Sequence, residues 1–234
     1  MRLVVDSLSR RFGAVQALDG VSFAVEPGEV VGLIGPNGAG KSTLLACAAG
    51  LDVADSGTIL VDGAPFDHLA RRGICFFLQD SIRPFERQNG VFVLDFARKL
   101  FGASEEWRDD IGPALGIAPF VHQRIGEMSK GQRKRVLLAL ALLVPRPFTL
   151  IDEPFDGLDP RQARAFGDLV RARAAIGRAF VLSVHAMSDA TRTCDRHVLL
   201  HDGRVLASGS LSALRTAASL GESATLEDVF LALT

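Results

Sequence analysis

Gly35-Pro36-Asn37-Gly38-Ala39-Gly40-Lys41-Ser42-Thr43 dictates how the neighbouring chain must fold. The stretch fits a known pattern, a glycine and four free positions followed by Gly-Lys-Ser/Thr. Residues 29–34 before it form a short, apolar, β-rich run behind the turn signal Pro27-Gly28. Residues 42–49 after it resemble the start of an apolar helix. The sequence therefore predicts a buried strand, this loop and a helix in direct succession, which is the context that the pattern requires.

The loop has the chemistry of a phosphate site. Its three glycines permit backbone angles that side chains forbid, so successive N–H groups can curl round phosphate oxygens. The helix that begins near Lys41 adds further N–H donors and the positive end of its dipole. We expect Lys41 to reach the β- and γ-phosphates of a nucleotide, Ser42 to bind Mg²⁺ and Thr43 to lie beside the phosphates. The alternative is a glycine-rich turn without a ligand, and the predicted strand and helix argue against it.

A second strong pattern is Phe148-Thr149-Leu150-Ile151-Asp152-Glu153-Pro154. Its four largely apolar residues predict a buried strand, which delivers two carboxylates at its carboxyl end. Because adjacent side chains on a strand point to opposite sides, the two acids can do different work. One would orient Mg²⁺ through its water shell, and the other would act as the base for an attacking water. The alternative, a charged loop start, is disfavoured because two acids that end a buried strand need a cation nearby.

Polar residues follow two further predicted strands. Gln79 comes after residues 73–78, and His185 comes after residues 179–184. Open α/β sheets bind ligands at the carboxyl ends of their strands. Gln79 can therefore reach Mg²⁺ or a water near the γ-phosphate, and His185 is placed to contact the γ-phosphate. A surface glutamine and a structural histidine are the alternatives.

The segment 81–144 is interpreted as mostly helical. Phe92, Phe96 and Leu100 share one face at helical spacing, and such a face is more often core than a partner site. Residues 105–115 predict a more polar helix. Residues 136–144 predict a buried helix, which is too short to span a bilayer.

Met128-Ser129-Lys130-Gly131-Gln132-Arg133-Lys134-Arg135 leads into that buried helix. Ser129 is a good N-cap residue. The basic residues that follow it crowd the positive end of the helix and oppose its dipole, an arrangement that suits an external anion. The alternative is a solvated basic face.

Local signals predict the remaining elements. Phe12 lies in an early loop over residues 10–13, where it is either a platform for an adenine ring or an ordinary core or surface residue. Asp159 and Pro160 predict the start of a long helix over 161–176, whose many arginines are interpreted as a solvated face. The other predictions are strands over 3–5, 21–26 and 57–61, a turn over 17–20, a hairpin of 196–201 and 204–207, and helices over 210–217 and 225–233.

Composition bounds the remaining possibilities. The chain has 234 residues, of which 48% are hydrophobic, enough for one large α/β domain or a domain with a smaller lobe. A net charge of −1 creates no field that draws the chain to nucleic acid, so we expect no nucleic-acid partner. Cys47, Cys75 and Cys194 are far apart and are interpreted as buried thiols in a reducing cytoplasm. The acid at position 6 argues against a signal peptide.

Taken together, the motifs resemble the nucleotide-binding subunit of ATP-binding cassette (ABC) transporters over nearly the whole chain. The matches, in chain order, are an adenine-stacking aromatic at Phe12, the Walker A loop Gly35 to Thr43, the Q-loop Gln79, the signature Ser129 to Gln132, Walker B with its catalytic glutamate at Asp152-Glu153, the D-loop Gly157-Leu158-Asp159 and the switch His185. Two positions depart from the family pattern. Lys130 stands where the signature usually has glycine, and Phe12 stands where a tyrosine is usual.

The resemblance implies a P-loop NTPase fold of the α/β class. Its core has a mixed or parallel sheet, accompanied by an N-terminal antiparallel β subdomain and an inserted α-helical subdomain. In this chain a single ATPase domain would cover 1–234, with the core at about 1–80 and 145–234 and the helical subdomain at about 81–144. Residues 226–230 resemble the ending of ABC-2-type exporter ATPases, which suggests efflux.

The resemblance also implies the ligands and the partners. They are ATP, Mg²⁺, a second identical or closely related cassette in a head-to-tail dimer, and an integral membrane permease subunit at the cytoplasmic face of the cell membrane. Catalysis would fall to Lys41, Glu153 and His185, and Mg²⁺ to Ser42, Gln79 and Asp152. The other nucleotide contacts would be Phe12, the loop residues 35–43, Ser129, Gly131, Gln132 and Asp159. Two alternatives remain: a soluble ABC ATPase that remodels ribosomes or DNA, and a cassette that binds ATP without hydrolysing it.

Overall fold

The computed structural model describes residues 1–80, 82–105 and 107–234. Ser81, the first residue of the predicted helical segment, and Glu106, within the predicted polar helix, lie outside the described residues. The strands are β1 Leu3–Phe12, β2 Val15–Val25, β3 Val30–Ile34, β4 Ser56–Val61, β5 Ala64–Pro65, β6 Cys75–Leu78, β7 Phe148–Ile151, β8 Ala179–Val184, β9 Arg196–His201 and β10 Arg204–Gly209. The α-helices are α1 Lys41–Ala48, α2 His68–Ile74, α3 Gly90–Phe101, α4 Gly112–Ala114, α5 Lys130–Leu143, α6 Pro160–Ala175, α7 Met187–Thr193, α8 Leu211–Ala217 and α9 Leu226–Leu233. A π-helical turn, Trp107–Ile111, precedes α4, and a 3₁₀ turn, Ile125–Glu127, precedes α5.

The main sheet has the strand order β10-β9-β3-β8-β7-β6. Its strands run parallel, except for β10, which pairs antiparallel with β9 at one edge. Strands β3, β7 and β8 are buried throughout, because a parallel sheet is covered on both faces. The carboxyl ends of β3, β6, β7 and β8 lie at one edge of the sheet. The residues that follow Ile34, Leu78, Ile151 and Val184 are therefore close together. The predicted α/β class and mixed sheet are confirmed.

A second, antiparallel sheet has the order β2-β1-β4-β5 and contains the N-terminal strands. The predicted loop over 10–13 and turn over 17–20 are wrong, because β1 continues to Phe12 and β2 runs from Val15 to Val25. Register shifts between the strands accommodate residues that read locally as turns, including Gly20 at φ 67°. Cross-strand pairing therefore overrides the local turn signal, as is common for strands.

Each face of the main sheet packs on its own apolar cluster. Val31 and Leu33 face the antiparallel sheet and α1, whereas Val30 and Ile34 face the cluster that contains α5 and α6. The alternation follows from the two-residue period of a strand. The three cysteines are buried, as predicted.

Helix α2 occupies part of a segment predicted as a strand. The sequence predicts a strand over residues 73–78, but α2 continues to Ile74 and β6 begins at Cys75. Asp67 caps α2 by accepting from the Leu69 N–H. Arg71 in the helix donates to the carbonyls of Phe66 and Cys47, which holds the helix on the core. The apolar run over residues 73–78 is therefore shared between the end of α2 and strand β6.

The apolar face of α3 points away from the core, which corrects the prediction that it is buried. Phe92, Phe96 and Leu100 are 43%, 43% and 62% exposed. The helix instead buries Gly90, Val93, Leu94 and Ala97. Both faces of α3 carry apolar residues, so helical spacing alone did not determine which one would be covered.

The arginines of α6 are not all solvated, contrary to prediction. Arg173 is only 4% exposed, and it donates to Asp110 at 3.1 Å, in the π-helical turn. A buried guanidinium needs such a partner. The predicted caps of this helix are confirmed, because Asp159 and Gln162 form a capping box with Pro160 in the first turn.

His197 in β9 makes the stability of the fold depend on pH. It is 2% exposed, and within the described residues its Nδ1 has no hydrogen-bond partner. Burial lowers the pKa of His197 to about 4, and the negative charge of Asp195 acts in the opposite direction. Between about pH 6.5 and pH 4 the unfolded chain therefore binds a proton that the folded chain does not, so stability falls as the pH falls.

We expect His197 to contribute up to about 3 kcal/mol to this loss between neutral pH and pH 4. Urea unfolding at several pH values would measure it, with His197→Leu expected to flatten the dependence over that window. His68→Gln, at a partly exposed histidine, is the matched control for the loss of a histidine. An equally steep slope in His197→Leu would contradict the prediction.

Candidate functional site

The loop between β3 and α1 has the shape that its glycines require. A Cβ on Gly35 would lie 2.2 Å from the carbonyl oxygen of Leu200, so no side chain fits there. Gly38 and Gly40 adopt φ 84° and 97°, in the left-handed region that favours glycine. Helix α1 then begins at Lys41, and its N-cap Gly40 has no side chain to satisfy the first N–H groups. These donors face the space that a phosphate would occupy.

Lys41 lies across this loop. It is 5% exposed, and its Nζ donates to the carbonyl oxygens of Gly35 at 2.7 Å and Pro36 at 2.9 Å. Burial lowers the pKa of Lys41, while the negative charges of Glu153 and Asp152 act in the opposite direction. The ammonium group is thus held at the loop by weak neutral acceptors that an anionic oxygen can replace.

Asp152 links the loop to the end of β7. It is 4% exposed, and its carboxylate accepts from Ser42 Oγ at 2.6 Å and from Ser183 Oγ at 2.5 Å. The hydroxyl and carboxylate oxygens meet at the carboxyl edge of the sheet, although Ser42 and Asp152 lie 110 positions apart in the sequence. Oxygen ligands of this kind are those that Mg²⁺ prefers, so the residues present fit the ion.

The predicted alternation of Asp152 and Glu153 requires both residues to continue the strand, but Glu153 does not. Strand β7 ends at Ile151, and Glu153 adopts φ 50°, an unfavourable angle for a residue other than glycine. Its backbone N–H donates to Ser183 Oγ at 2.8 Å, which helps hold this conformation. The carboxylate Oε1 lies 2.6 Å from His185 Nε2. The predicted acid and histidine are therefore in direct contact.

A cleft of about 190 Å³ opens between these groups. Its lining consists of Val15, Ala17, Asn37, Gly38, Gly40, Lys41, Ser42, Thr43 and Glu153. Ala39 is buried below the loop, and Pro36 is exposed. His185 lies beside the cleft through its contact with Glu153. Gln79 is exposed and follows Leu78, whose carbonyl accepts from the Asp152 N–H at 2.9 Å, so it lies at the same edge.

Phe12 ends β1 and is not part of the cleft lining. It is 48% exposed, and the Arg10 guanidinium lies 4.7 Å from the centroid of its ring. Val15, which is 65% exposed, supplies an apolar side chain to the cleft instead.

The predicted signature residues form a separate group at the start of α5. Ser129 and Gln132 make a reciprocal capping box, which confirms the predicted N-cap. A Cβ on Gly131 would lie 3.1 Å from the Gly157 carbonyl oxygen, so this tip packs near the loop that leads to Asp159. Within the described chain, the cleft lining includes none of these residues.

The basic residues at this tip make contacts within the chain, and the expected anion site stays a prediction. Lys130 Nζ lies 2.6 Å from Asp156 Oδ2. Lys134 is 6% exposed and pairs with Asp80 at 2.9 Å. Arg135 donates to the carbonyl oxygens of Leu115 and Gly116. Of these three cations, the buried Lys134 is the one that depends most on an acceptor within the chain.

Sequence reasoning missed Ser183, Val15 and the partners of Lys134. Ser183 is fully buried between the two acids, and its signal was a single polar residue in the apolar run of β8. Val15 and Asp80 carried no signal beyond their positions, because their roles depend on elements that are distant in sequence.

Comparison with known proteins identifies the family. The family model "ABC transporter" matches residues 18–156. The chain is 34% identical over 217 residues to the Nod factor export ATP-binding protein I of Paraburkholderia xenovorans (strain LB400), covering 89% of this chain and 71% of that protein. It is 30% identical to the ABC transporter ATP-binding protein NatA of Bacillus subtilis (strain 168), covering 91% of each.

Solved structures agree with this result. One described as the ATP-binding subunit of an ABC transporter superimposes with a TM-score of 0.88 at 33% identity, covering 100% of this chain and 99% of the other. A bacterial Atm1-family ABC exporter with ATP bound gives a TM-score of 0.80 at 26% identity, covering 95% of this chain and 42% of the other. The chain therefore belongs to the ABC transporter family. It is an ATP-binding, ATP-hydrolysing subunit, and the remodelling alternative is not favoured.

Proposed function

We propose that two copies of this cassette, or one copy and a close relative, enclose ATP between them. The cleft of one chain would meet the α5 tip of the other, so that Lys41 and Ser129 hold the same triphosphate. The separation of these two groups within one chain supports this proposal, because the described lining of the cleft includes none of the signature residues. Ser129 Oγ accepts from the Gln132 N–H, and its own proton stays available for a phosphate oxygen.

Within this dimer, the roles of the cleft residues follow from their chemistry. The N–H groups of residues 35–43 and Lys41 would hold the phosphates. Ser42, Asp152 and Gln79 would hold Mg²⁺, which neutralises charge that develops on the phosphate oxygens. Phe12 would stack on the adenine after a change in the contact with Arg10, and Asp159 would lie near the second nucleotide.

Glu153 is the proposed general base, and His185 the proposed γ-phosphate contact. Glu153 Oε1 and His185 Nε2 lie 2.6 Å apart. This contact occupies Glu153 Oε1. The attacking water would therefore give its proton to the second carboxylate oxygen, or to Oε1 after His185 has moved away. The left-handed backbone at Glu153 sets the direction of the carboxylate.

We further propose that the dimer drives outward transport through a separate membrane subunit, at the cytoplasmic face of the cell membrane. None of the described helices combines the length and the hydrophobicity that a membrane-spanning segment requires. The word "export" in the name of the Nod factor relative, and the exporter among the structural neighbours, support the outward direction.

An exposed aromatic surface supports the proposal that this chain binds a membrane subunit. We define the phenylalanine surface as Phe85, Phe92 and Phe96, which are 43–48% exposed. The rings of Phe92 and Phe96 stack at 6.0 Å, and Phe85 meets both edge-on at 6.4 and 5.6 Å. Aromatic clusters of this kind are typical of protein interfaces. We propose that residues from about 81 to 144 form a helical subdomain that presents this surface to the membrane subunit.

A mixing experiment tests the shared ATP site. Lys41→Met removes the cation of the cleft, whereas Ser129→Asp keeps an N-cap residue but repels a triphosphate. Each variant alone is expected to lose ATP hydrolysis, because both sites of its dimer are damaged. An equimolar mixture should recover about a quarter of the wild-type rate, since about half of the dimers are mixed and each has one intact site.

The matched control mixes Lys41→Met with a chain that carries both substitutions. No intact site can form in this mixture, so its phosphate release should stay at background. An active site contained within one chain would leave the first mixture inactive as well, and that result would contradict the proposal.

A further inference from the structure

Lys134 is buried between two loops at the ATP-site edge of the sheet. It lies in α5, five positions after Ser129. Its Nζ donates to Asp80 Oδ1 at 2.9 Å and to the Asp152 carbonyl oxygen at 3.4 Å. Asp80 directly follows Gln79, and the Asp152 carboxylate accepts from Ser42. One ammonium group therefore connects the signature helix with the chain around two proposed Mg²⁺ ligands.

The two loops are already neighbours in the sheet. Strands β6 and β7 pair in parallel, with Leu78 opposite Ile151, and the Asp152 N–H donates to the Leu78 carbonyl at 2.9 Å. Strands β6 and β7 end at Leu78 and Ile151, and Lys134 links the residues that follow them. A buried ammonium needs a carboxylate and further acceptors, so its position depends on both loops at once.

The adjacent basic residues make different contacts. Arg133 donates to the Met128 carbonyl, within its own helix entry. Arg135 donates to Leu115 and Gly116 and lies over the Phe120 ring. Of the basic side chains at 133–135, Lys134 is therefore the one that reaches both strand ends.

We propose that Lys134 is a positioning residue that couples the α5 tip of a chain to the Mg²⁺ ligands of its own ATP site. This inference rests on the proposed dimer, in which the tip contacts the partner's ATP. Ser129 and Lys134 are separated by about 7.5 Å along one helix, so a shift at the tip moves the ammonium group. Lys134 then moves Asp80, and with it Gln79, relative to Asp152. Each ATP site would thereby respond to occupancy of the other.

The substitution Lys134→Met keeps the length of the side chain and removes its charge. We expect kcat to fall about tenfold, with the KM for ATP changed by no more than about twofold, because Lys134 acts through Gln79. The Hill coefficient for ATP should fall towards one. Lys134→Arg keeps the charge, so it should retain most of the wild-type kcat and Hill coefficient. Phosphate release over a range of ATP concentrations measures all three quantities.

The partner residue allows a double-mutant test. Asp80→Asn alone should resemble Lys134→Met, and the double variant should be no slower than either one, because the same link is already broken. Arg135→Met is the matched control on the same helix and should retain the wild-type Hill coefficient. If Lys134→Met does not fold, Asp80→Asn and Lys134→Arg provide the same comparison.

Two results would overturn the inference. One is a strictly additive loss in the double variant. The other is an unchanged Hill coefficient and kcat in folded Lys134→Met or Asp80→Asn. Failure of the proposed dimer would appear separately, because the mixture of Lys41→Met and Ser129→Asp would then stay inactive whatever Lys134 does.

Discussion

Glu153→Gln should reduce ATP hydrolysis at least about a hundredfold while leaving ATP binding intact. The amide has the shape of the carboxylate but cannot accept a proton from water. Its backbone link to Ser183 is retained, and the Gln side chain can still contact His185. ATP that enters the shared site is then not consumed, so the dimer should accumulate.

Two measurements check this expectation. Phosphate release reports hydrolysis, and sedimentation with ATP and Mg²⁺ reports the dimer. Glu26→Gln is the matched control, since Glu26 is an exposed acid that pairs with Arg2 far from the cleft. Turnover close to wild type in Glu153→Gln would show that another group is the base, and a strictly monomeric variant would contradict the ATP-driven dimer.

The phenylalanine surface should be essential for binding the membrane subunit. Replacing Phe92 and Phe96 together by Ser removes a stacked aromatic pair without touching the buried face of α3. We expect the double variant to lose co-purification with the membrane subunit from detergent-solubilised membranes. Because a few aromatic anchors usually dominate an interface, this pair should account for much of the binding. ATP hydrolysis in solution should stay within about twofold of wild type, because neither phenylalanine belongs to the described lining of the ATP cleft.

Exposed apolar residues elsewhere supply the control for this experiment. Ile176 and Leu231 are 80% and 67% exposed, and both lie outside the phenylalanine surface. The pair of substitutions Ile176→Ser and Leu231→Ser should leave co-purification unchanged. Normal recovery of the membrane subunit with Phe92→Ser and Phe96→Ser would exclude this surface as the docking site.

Much of the fold and part of the candidate site could be predicted from local patterns. The phosphate loop, the two acids after β7 and the cap at Ser129 each depend on residues within a few positions of one another. Glycine conformations and capping bonds are local interactions, so short stretches of sequence specify them. The carboxyl ends of buried parallel strands then predicted that Gln79, Asp152 and His185 lie at one edge.

Other features depended on which distant elements meet. Ser42 and Asp152 are 110 positions apart, and their hydrogen bond requires the assembled sheet. Ser183 contacts Asp152 and the Glu153 N–H because β8 lies next to β7. The same reason applies to Lys134, whose charge is compensated by a carboxylate 54 positions away.

Local sequence determined the conformation of the loop over residues 35–43 and much of the order of strands and helices around it. Tertiary structure alone determined that Phe92 and Phe96 remain exposed, that Glu153 contacts His185, and that Lys134 connects two loops. Periodicity tells which residues share a face, but burial depends on the surface packed against that face. Contact between distant side chains likewise exists only once the sheet has brought them within bonding distance.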